Sequence, residues 1–235
     1  MRVALLALVL VSGVVLAAEP QSLVEQSAVR LRLFSVKGHF ELGAHTGISL
    51  MPRLTEHTVL GLSGAYNVKE WFAVELRAGG AISSNTALAR DIQGGTLSRT
   101  IPAASDAADL WRLSWHGVVG ARFQPIYGKF NLMGELPVHF QVWLWAGGGV
   151  AYLERESVAF CATPAGPGCA AFATQTGGSP LVSAALGLRF FLPQGHALKL
   201  EVRDWSYLDS YRTNTTTKNG VTNLVQLEFG YAFIL

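Results

Sequence analysis

Apolar and polar side chains alternate with a period of two along most of the chain. In the first such run, at 39–50, every second residue from Phe40 to Leu50 is apolar or threonine, and the residues between them are polar or small. Successive side chains of a β-strand point to opposite faces of the sheet. The pattern therefore predicts a strand with one apolar face and one polar face.

Seven further runs repeat this pattern, so that eight strands are predicted at 39–50, 58–68, 71–83, 111–123, 138–150, 182–192, 198–206 and 221–235. Strands of about eleven residues cross a bilayer at a tilt, and eight of them close a barrel whose lumen is filled by side chains. We therefore predict an all-β fold, an eight-stranded antiparallel transmembrane up-and-down β-barrel over 38–235. A soluble β-sandwich is the alternative, in which the apolar faces meet a second sheet instead of lipid.

The predicted connections differ between the two ends of this barrel. Outer loops are expected at 50–57, 85–109, 154–180 and 208–220, and inner turns at 69–70, 124–137 and 193–197. Short periplasmic turns and longer external loops are typical of outer-membrane barrels. The inner turn at 124–137 is an exception, because it is long.

The chain opens with a targeting signal. Arg2 is followed by an uninterrupted run of apolar and small residues as far as Leu16. The run is shorter than the roughly twenty residues that a spanning helix needs. We expect cleavage after Ala17 or Ala18, so that 1–17 is a signal peptide and 18–37 is a periplasmic N-terminal lead-in.

The composition supports a barrel that faces lipid. The chain is 50% hydrophobic and only 14% charged, and it contains 25 glycines. After residue 17 it has no apolar run near eighteen residues, so a helical span is not predicted. A formal net charge of +2 is too weak to indicate a nucleic-acid partner. Outer-membrane lipid is therefore the expected environment, and the cell outer membrane the expected location.

The two cysteines, Cys161 and Cys169, lie in a stretch rich in proline, glycine and alanine. In an exported chain, a disulfide that closes this small loop is the expected interpretation. A metal site would need more ligands than this stretch contains.

The polar faces of the predicted strands carry many charges, which we expect to point into the lumen: Glu41, Glu75, Arg77, Arg112, Arg122, Arg189, Lys199, Glu201 and Arg203. An isolated buried charge costs several kcal/mol or more. A network of ion pairs that fills the lumen is therefore predicted. A narrow polar pore or small-solute channel is the alternative, which a barrel of eight strands disfavours.

Several aromatic residues have predicted positions. Tyr66, Trp71 and Phe72 are expected where the barrel leaves the membrane on its inner, periplasmic side. Trp111 and Tyr207 are expected at the interface on its outer side. The alternation also places Trp111, Leu113 and Trp115 on the lipid-facing side of the fourth strand, with Arg112 and Ser114 facing inward. In the fifth strand, Trp143 and Trp145 are expected to point into the lumen.

No residue set indicates catalysis or a cofactor. His39, His45, His116 and His139 fall on inward-facing positions, but they belong to different walls of the barrel, so we read them as structural. Ser114 and His116 lie two residues apart on one predicted strand face, which is common, and a G-x-S-x-G motif is absent from the sequence. The chain is therefore predicted to be non-enzymatic, with neither a metal nor a cofactor.

Two segments are candidates for contact with a protein partner. The turn at 124–137 contains the apolar or turn-forming residues Pro125, Ile126, Tyr127, Phe130 and Leu132. Exposed apolar groups usually seek a partner, although these groups could instead pack under the barrel rim or at the membrane interface. The lead-in could plug the lumen, touch the membrane or dock on a periplasmic protein.

The last strand carries the sharpest sequence signal. Apolar residues alternate up to the final position of the chain, at Leu227, Phe229, Tyr231, Phe233 and Leu235. Such a terminal strand resembles the signal that the barrel-assembly machinery reads, with leucine here in place of the usual terminal phenylalanine. The machinery is therefore an expected partner.

Four short motifs follow one another along the chain, at 28–34 with 37–42, at 125–129 with His139 and Phe140, at 187–190, and at 201–204. As an ordered set they resemble a family of small outer-membrane β-barrels best populated in myxobacteria. Gln141 departs from the pattern, which has an acidic residue after His-Phe. The resemblance implies a non-enzymatic barrel, and it implies for some members a place in envelope complexes of gliding motility. The function expected here is a structural or interaction component of a cell-envelope assembly, with periplasmic or outer-membrane protein partners.

Overall fold

The computed structural model describes residues 35–52, 54–93, 110–132, 136–157, 173–212 and 216–235. The predicted signal peptide, most of the lead-in, and both Cys161 and Cys169 lie outside these ranges. Those predictions therefore stay predictions.

Eight antiparallel strands form one closed ring, in which each strand pairs with the next and the last pairs with the first. The strands are β1 (Phe40–Ser49), β2 (Thr55–Lys69), β3 (Phe72–Asn85), β4 (Leu110–Leu132), β5 (Leu136–Ser157), β6 (Ala173–Phe191), β7 (His196–Arg212) and β8 (Thr217–Ile234). A short helix, α1 (Ala87–Gln93), follows β3, and a single 3-10 turn (Pro193–Gly195) joins β6 to β7. The predicted number, order and antiparallel arrangement of the strands are confirmed.

The two ends of the ring differ in their connections. The end that holds Phe40 and Ile234 is called the turn end, because the links there, at 70–71, 133–135 and 192–195, are short. The opposite end is called the loop end, and its links fall at 50–54, 86–109, 158–172 and 213–216. No helix of the described ranges is long and apolar enough to cross a membrane.

The predicted inner turn at 124–137 is wrong, because β4 and β5 continue through most of it as a paired ribbon. The proline and the glycine that indicated a turn both fit this ribbon. β4 pairs with β3 only as far as Phe123, so Pro125 lies on a free strand edge, where proline is tolerated. Gly128 leaves room for the ring of Phe140 on the facing strand.

A register shift in β4 between Leu113 and Trp115 corrects the predicted faces of this strand. One extra residue in a strand moves every side chain beyond it to the opposite face. Leu113 is therefore buried inside the barrel, whereas Trp115 remains outward and exposed. Trp111 also turns inward, where it contacts the buried core, and Ser114 lies on the outward side, where its hydroxyl bonds Glu154.

The predicted outer aromatic interface is wrong for the same reason at Trp111, and also at Tyr207, whose side chain is 0% exposed inside the barrel. The outward aromatic pair at the loop end is instead Trp115 and Tyr152, whose rings stack at 6.2 Å. At the turn end, Tyr66 and Trp71 are exposed on the outward face, as predicted. The ring centres are 4.8 Å apart for Tyr66 and Phe40, and 5.8 Å apart for Trp71 and Phe72.

The outward face between these aromatic groups is apolar. Large aliphatic side chains are exposed all around the ring, among them Leu62, Ile82, Val119, Leu186 and Val202. From Phe40 to Leu50 the outward face of the first strand spans roughly 33 Å along the strand, which at the usual tilt corresponds to a band about 25 Å high. We call this band the span.

The C-terminal strand closes the ring. Residues Glu41 to Ser49 of β1 pair with Ile234 to Gln226 of β8, and the Leu235 backbone N–H donates to the Phe40 carbonyl at 2.8 Å. Phe229 and Tyr231 face outward, as the alternation predicts. Recognition of this strand by the barrel-assembly machinery stays a prediction.

Candidate functional site

The turn-end half of the lumen holds a network of buried charges. Four glutamates and five cationic residues take part: Glu41, Glu75, Glu201, Glu228, Arg77, Arg122, Arg189, Lys199 and Arg203. They come from six of the eight strands, and each points inward because it occupies an alternate position of its strand.

Glu41 of β1 is one centre of this network. Its carboxylate accepts from Arg122 at 2.7 Å and from Arg189 at 2.5 Å, and it also contacts the Lys199 ammonium. Arg122 reaches on to Glu75 at 3.0 Å. The cluster therefore ties β1 to β3, β4, β6 and β7 through the interior.

Arg77 of β3 is the second centre. Its guanidinium donates to Glu75 at 2.8 Å, to Glu228 at 3.0 Å and to Glu201 at 3.0 Å. Arg203 pairs with the same two glutamates of β7 and β8, at 3.2 Å and 3.5 Å. Ionised groups in an interior are tolerated only when they are paired, and each charge of this network has an ion-pair partner.

The structure places eight of the nine predicted lumenal charges inside the barrel, and Arg112 is the exception. That side chain is 35% exposed at the loop end, where it faces Glu156 at 3.6 Å and Asn85 at 3.4 Å. The shift in β4 removes it from the inward row. Glu228 was not predicted as a member of the network. The alternation nevertheless indicated its inward position, because Glu228 lies between the outward residues Leu227 and Phe229.

The loop-end half of the lumen is filled by apolar and aromatic side chains. The core there includes Val59, Leu113, Val118, Leu153, Leu181, Trp205, Tyr207 and Leu224. Aromatic contacts connect it, with ring centres 5.5 Å apart for Trp111 and Tyr207 and 4.4 Å apart for His116 and Trp205. This plug leaves little room for a continuous water path.

Trp143 and Trp145 point inward, as predicted. Trp143 lies against Gly187, where a Cβ would overlap the ring. The Arg203 guanidinium lies 4.4 Å from the ring centre of Trp145, within cation–π range. A cavity of about 10 Å³ remains beside His45, Arg77 and Glu228, which is about the least that holds one water molecule.

The predicted inward histidines occupy different levels. His45 and His116 are buried in the lumen, and His139 lies at the turn end, where its Nδ1 is 2.8 Å from the Tyr127 hydroxyl. His39 lies beside the Lys37 carbonyl at 3.0 Å. His57, which precedes the predicted start of its strand, is also buried. Within the described ranges, no group of three or more His, Cys, Asp or Glu side chains could hold a metal.

Ser114 and His116 do not share a strand face, which corrects their predicted arrangement. His116 is buried in the lumen, whereas Ser114 donates to Glu154 on the outward side at 3.0 Å. The shift between Leu113 and Trp115 separates them.

A two-stranded ribbon projects from the turn end. It consists of 124–132 of β4, of which 126–132 pair with 136–142 of β5, and we call it the turn-end ribbon. β6 pairs with β5 only from His139 upward, so the tip of the ribbon runs three residue pairs past its neighbour, about 10 Å.

The predicted contact residues divide between the two faces of the turn-end ribbon. Ile126 and Phe130 are outward and are 53% and 42% exposed, and Pro125 is exposed on the free edge. Tyr127 faces under the barrel mouth and packs on the cluster of Val36, Phe191 and Ile234. The side chain of Leu132 lies outside the described residues.

The end of the lead-in lies against the turn end. Val36 is buried in the small cluster below the mouth, and the Gly38 N–H donates to the Asn67 carbonyl at 2.7 Å. The Ser35 hydroxyl donates to Glu70 at 2.5 Å. This last part of the lead-in therefore packs against the barrel itself, and the rest of it lies outside the described residues.

A closed ring of antiparallel strands, apolar outside and charged inside, is one of the few structures that can span a bilayer, because it leaves no backbone edge unpaired in the span. The chain is therefore an outer-membrane β-barrel, located in the cell outer membrane.

Several solved structures resemble this fold. The N-terminal β-barrel domain of Pseudomonas aeruginosa OprF aligns with a TM-score of 0.43 and 9% identity over 85% of this chain and 98% of that one. A major outer membrane protein from Thermus thermophilus gives 0.41 and 11% over 83% and 99%. Ail, the attachment invasion locus protein of Yersinia pestis, gives 0.37 and 11% over 85% and 99%. At these identities and scores the likeness says nothing about function.

No protein-family model matches the chain, and no curated protein matches its sequence. The myxobacterial resemblance therefore stays a prediction.

Proposed function

We propose that this barrel is a non-conducting interaction component of a cell-envelope assembly, which binds a periplasmic partner through the turn-end ribbon. In the predicted orientation the N-terminus is periplasmic, so the turn end and its ribbon face the periplasm. The barrel anchors the ribbon in the membrane, and the ribbon supplies the contact.

The packing of the lumen supports a role other than transport. Buried ion pairs fill one half, and the plug around Trp205 and Tyr207 fills the other. A solute would have to separate paired charges in the interior, which costs several kcal/mol per ion. The narrow pore that the sequence left as an alternative is therefore the weaker candidate.

The single observation that carries the proposal is the exposure of Ile126 and Phe130 on a ribbon that extends past its neighbours. Phe130 packs on Phe140 of the facing strand, with ring centres 5.9 Å apart, so the outward face of the tip presents an aromatic pair. Exposed apolar groups of this size usually mark a contact surface. β4 also has a free edge beyond Phe123, at which a partner segment could pair.

Replacement of Phe130 by serine tests this proposal. We expect Phe130→Ser to abolish stable copurification of a periplasmic protein with the full chain, because it removes the central aromatic group of the ribbon. Asn131→Ser is the matched control, since Asn131 is the next residue, is exposed and is polar. Heat-modifiable gel migration verifies that both variants still form the barrel. Copurification that survives Phe130→Ser, or a wild-type chain without a periplasmic partner, would contradict the proposal.

A gliding-motility complex is the more specific assembly that the family resemblance supports. Deletion of the gene should then abolish gliding on a surface, and re-expression of the wild-type chain, but not of Phe130→Ser, should restore it. Normal gliding by the deletion strain would exclude a role in motility. The ribbon contact would then be tested by copurification alone.

A further inference from the structure

One charged residue lies on the lipid-facing side of the span. Asp204 occupies an outward position of β7, between the inward residues Arg203 and Trp205. It lies six residues from Leu198, which is about 20 Å along the strand, and four residues from Leu208. Both leucines are outward and exposed, so Asp204 lies between apolar residues of its own outward row.

The neighbours of Asp204 across the sheet are also apolar. It is in register with Ala184 of β6 and Val225 of β8. Val182 and Leu186, the next outward residues of β6, are both exposed. Among the described outward positions of the span, Asp204 is the one charged side chain.

Two polar residues lie beside this carboxylate. The Ser206 hydroxyl donates to Oδ2 of Asp204 at 3.1 Å, and Ser206 is in register with Asn223, an exposed residue of β8. We call Asp204, Ser206 and Asn223 the β7–β8 polar patch. Oδ1 of Asp204 is buried against the wall and has no hydrogen-bond partner in the described part of the barrel, and the residue as a whole is half-buried.

A carboxylate in this position is costly unless a further donor satisfies it. Hydrocarbon chains offer no donor, and a polar group transferred to an apolar environment loses its bonds to water. Ionisable residues in a membrane usually face a protein partner or a polar cavity, for this reason. Asp204 faces neither within the barrel, since the polar network lies on the other side of the wall.

We propose that the β7–β8 polar patch is a lateral contact with a second integral outer-membrane protein, which presents a basic side chain to Asp204 at this depth. Charge complementarity selects the partner, because the patch lacks a cation of its own. The small side chain of Ala184 beside Asp204 allows another wall to approach closely.

A second copy of this chain does not meet the requirement. Within the described outward positions of the span there is no lysine or arginine, so a copy at the same depth has no cation to offer. Two copies related by an axis along the membrane normal would also bring residues of equal depth together, and thus the two carboxylates.

This contact goes beyond the proposed periplasmic one, and the two can fail separately. Phe130→Ser should leave the lateral contact in place, because the turn-end ribbon lies outside the span. Replacement of Asp204 should leave the periplasmic partner bound.

Site-specific photocrosslinking in the producing cells tests the proposal. A benzophenone amino acid at Val182, the next outward residue of β6, should crosslink to one integral outer-membrane protein, at least tenfold more than the same group at Val119, an equally exposed valine of β4. Asp204→Leu in the same chain should lower the yield at least tenfold. Adducts with lipid alone, adducts with a second copy, or a yield unchanged by Asp204→Leu would overturn the proposal.

A folding measurement separates this role from a structural one. In vesicles of phosphatidylcholine alone, where the partner is absent, Asp204→Leu should raise the urea concentration at the unfolding midpoint, because a charge leaves the lipid face. Thr46→Leu, which removes an outward hydroxyl from β1, is the uncharged control. A midpoint lowered by Asp204→Leu would show that the carboxylate serves the barrel itself, and would overturn the proposal.

Discussion

In the turn-end half of the lumen, charged side chains pair across the interior, whereas in the loop-end half aliphatic and aromatic side chains pack together. Arg77 and Glu41 are the centres of the first half, and Trp205 and Tyr207 are fully buried in the second. Both halves lie within one ring of the same eight strands.

The difference lies in how each half depends on its neighbours. A buried ion pair needs its partners, and each charge in the turn-end half has a partner on another strand. The loop-end plug needs only volume and shape, and it includes residues that a register shift turned inward, such as Leu113. Charge fixes the geometry of one half, and close packing fills the other.

Removal of Arg77 should have the largest effect, because Arg77 is the cation that joins Glu75, Glu201 and Glu228. We expect Arg77→Ala to lower the free energy of unfolding by about 3–5 kcal/mol, measured by urea titration in lipid vesicles. Arg112→Ala is the matched control, and its exposed pair should contribute about 0–1 kcal/mol. Equal losses in the two variants would contradict the buried network.

Truncation of Leu113 tests the plug in the same way. Leu113→Ala should cost about 2–5 kcal/mol in the same titration, because it leaves a cavity in a packed core. Leu113→Met conserves the volume and should cost less than about 1.5 kcal/mol. A negligible loss in the alanine variant would indicate that Leu113 faces lipid, as the simple alternation predicted.

A larger residue at Gly187 tests how closely the wall approaches Trp143. Gly187→Ala should lower the free energy of unfolding by about 1–3 kcal/mol, because the new Cβ overlaps the ring. Gly117→Ala is the control, since a Cβ there would have nothing within 4 Å. If both glycines tolerate alanine equally, Trp143 does not pack as described.

The smallest effect is expected below the turn-end half. Tyr127→Phe removes the hydroxyl that lies 2.8 Å from His139, and one hydrogen bond contributes about 0.5–1.5 kcal/mol. The ring remains on Val36 and Phe191, so the variant should still fold. A loss as large as that of Arg77→Ala would mean that this contact belongs to the main network.

The strand count, the strand order and most inward charges followed from alternation alone. Successive side chains of a barrel strand face the lumen and the lipid in turn, so the sequence alone assigns residues such as Glu75 and Arg189 to the lumen. Strand ends were underestimated, since β5 runs to Ser157 and β7 to Arg212. Beyond the span the outward face need not be apolar, and the alternation that marks a strand is lost there.

The shift in β4 could not be predicted. One bulged residue near Ser114 reverses the faces of Trp111 and Arg112, and the local sequence still alternates as an unbroken strand would. Pro125 supported the predicted turn, but it lies on a free strand edge, where proline is tolerated as it is not within a central strand. The lipid-facing position of Asp204 was already implied by the alternation around Arg203, but its isolation became visible only with the ring complete.

Conductance in a planar bilayer tests the filled lumen most directly. The full-length chain, purified and folded in detergent, should insert without stable channel openings, because paired charges occupy one half of its lumen and close-packed side chains the other. Reproducible single-channel steps from the wild-type barrel would contradict this account and would restore the narrow pore as its function.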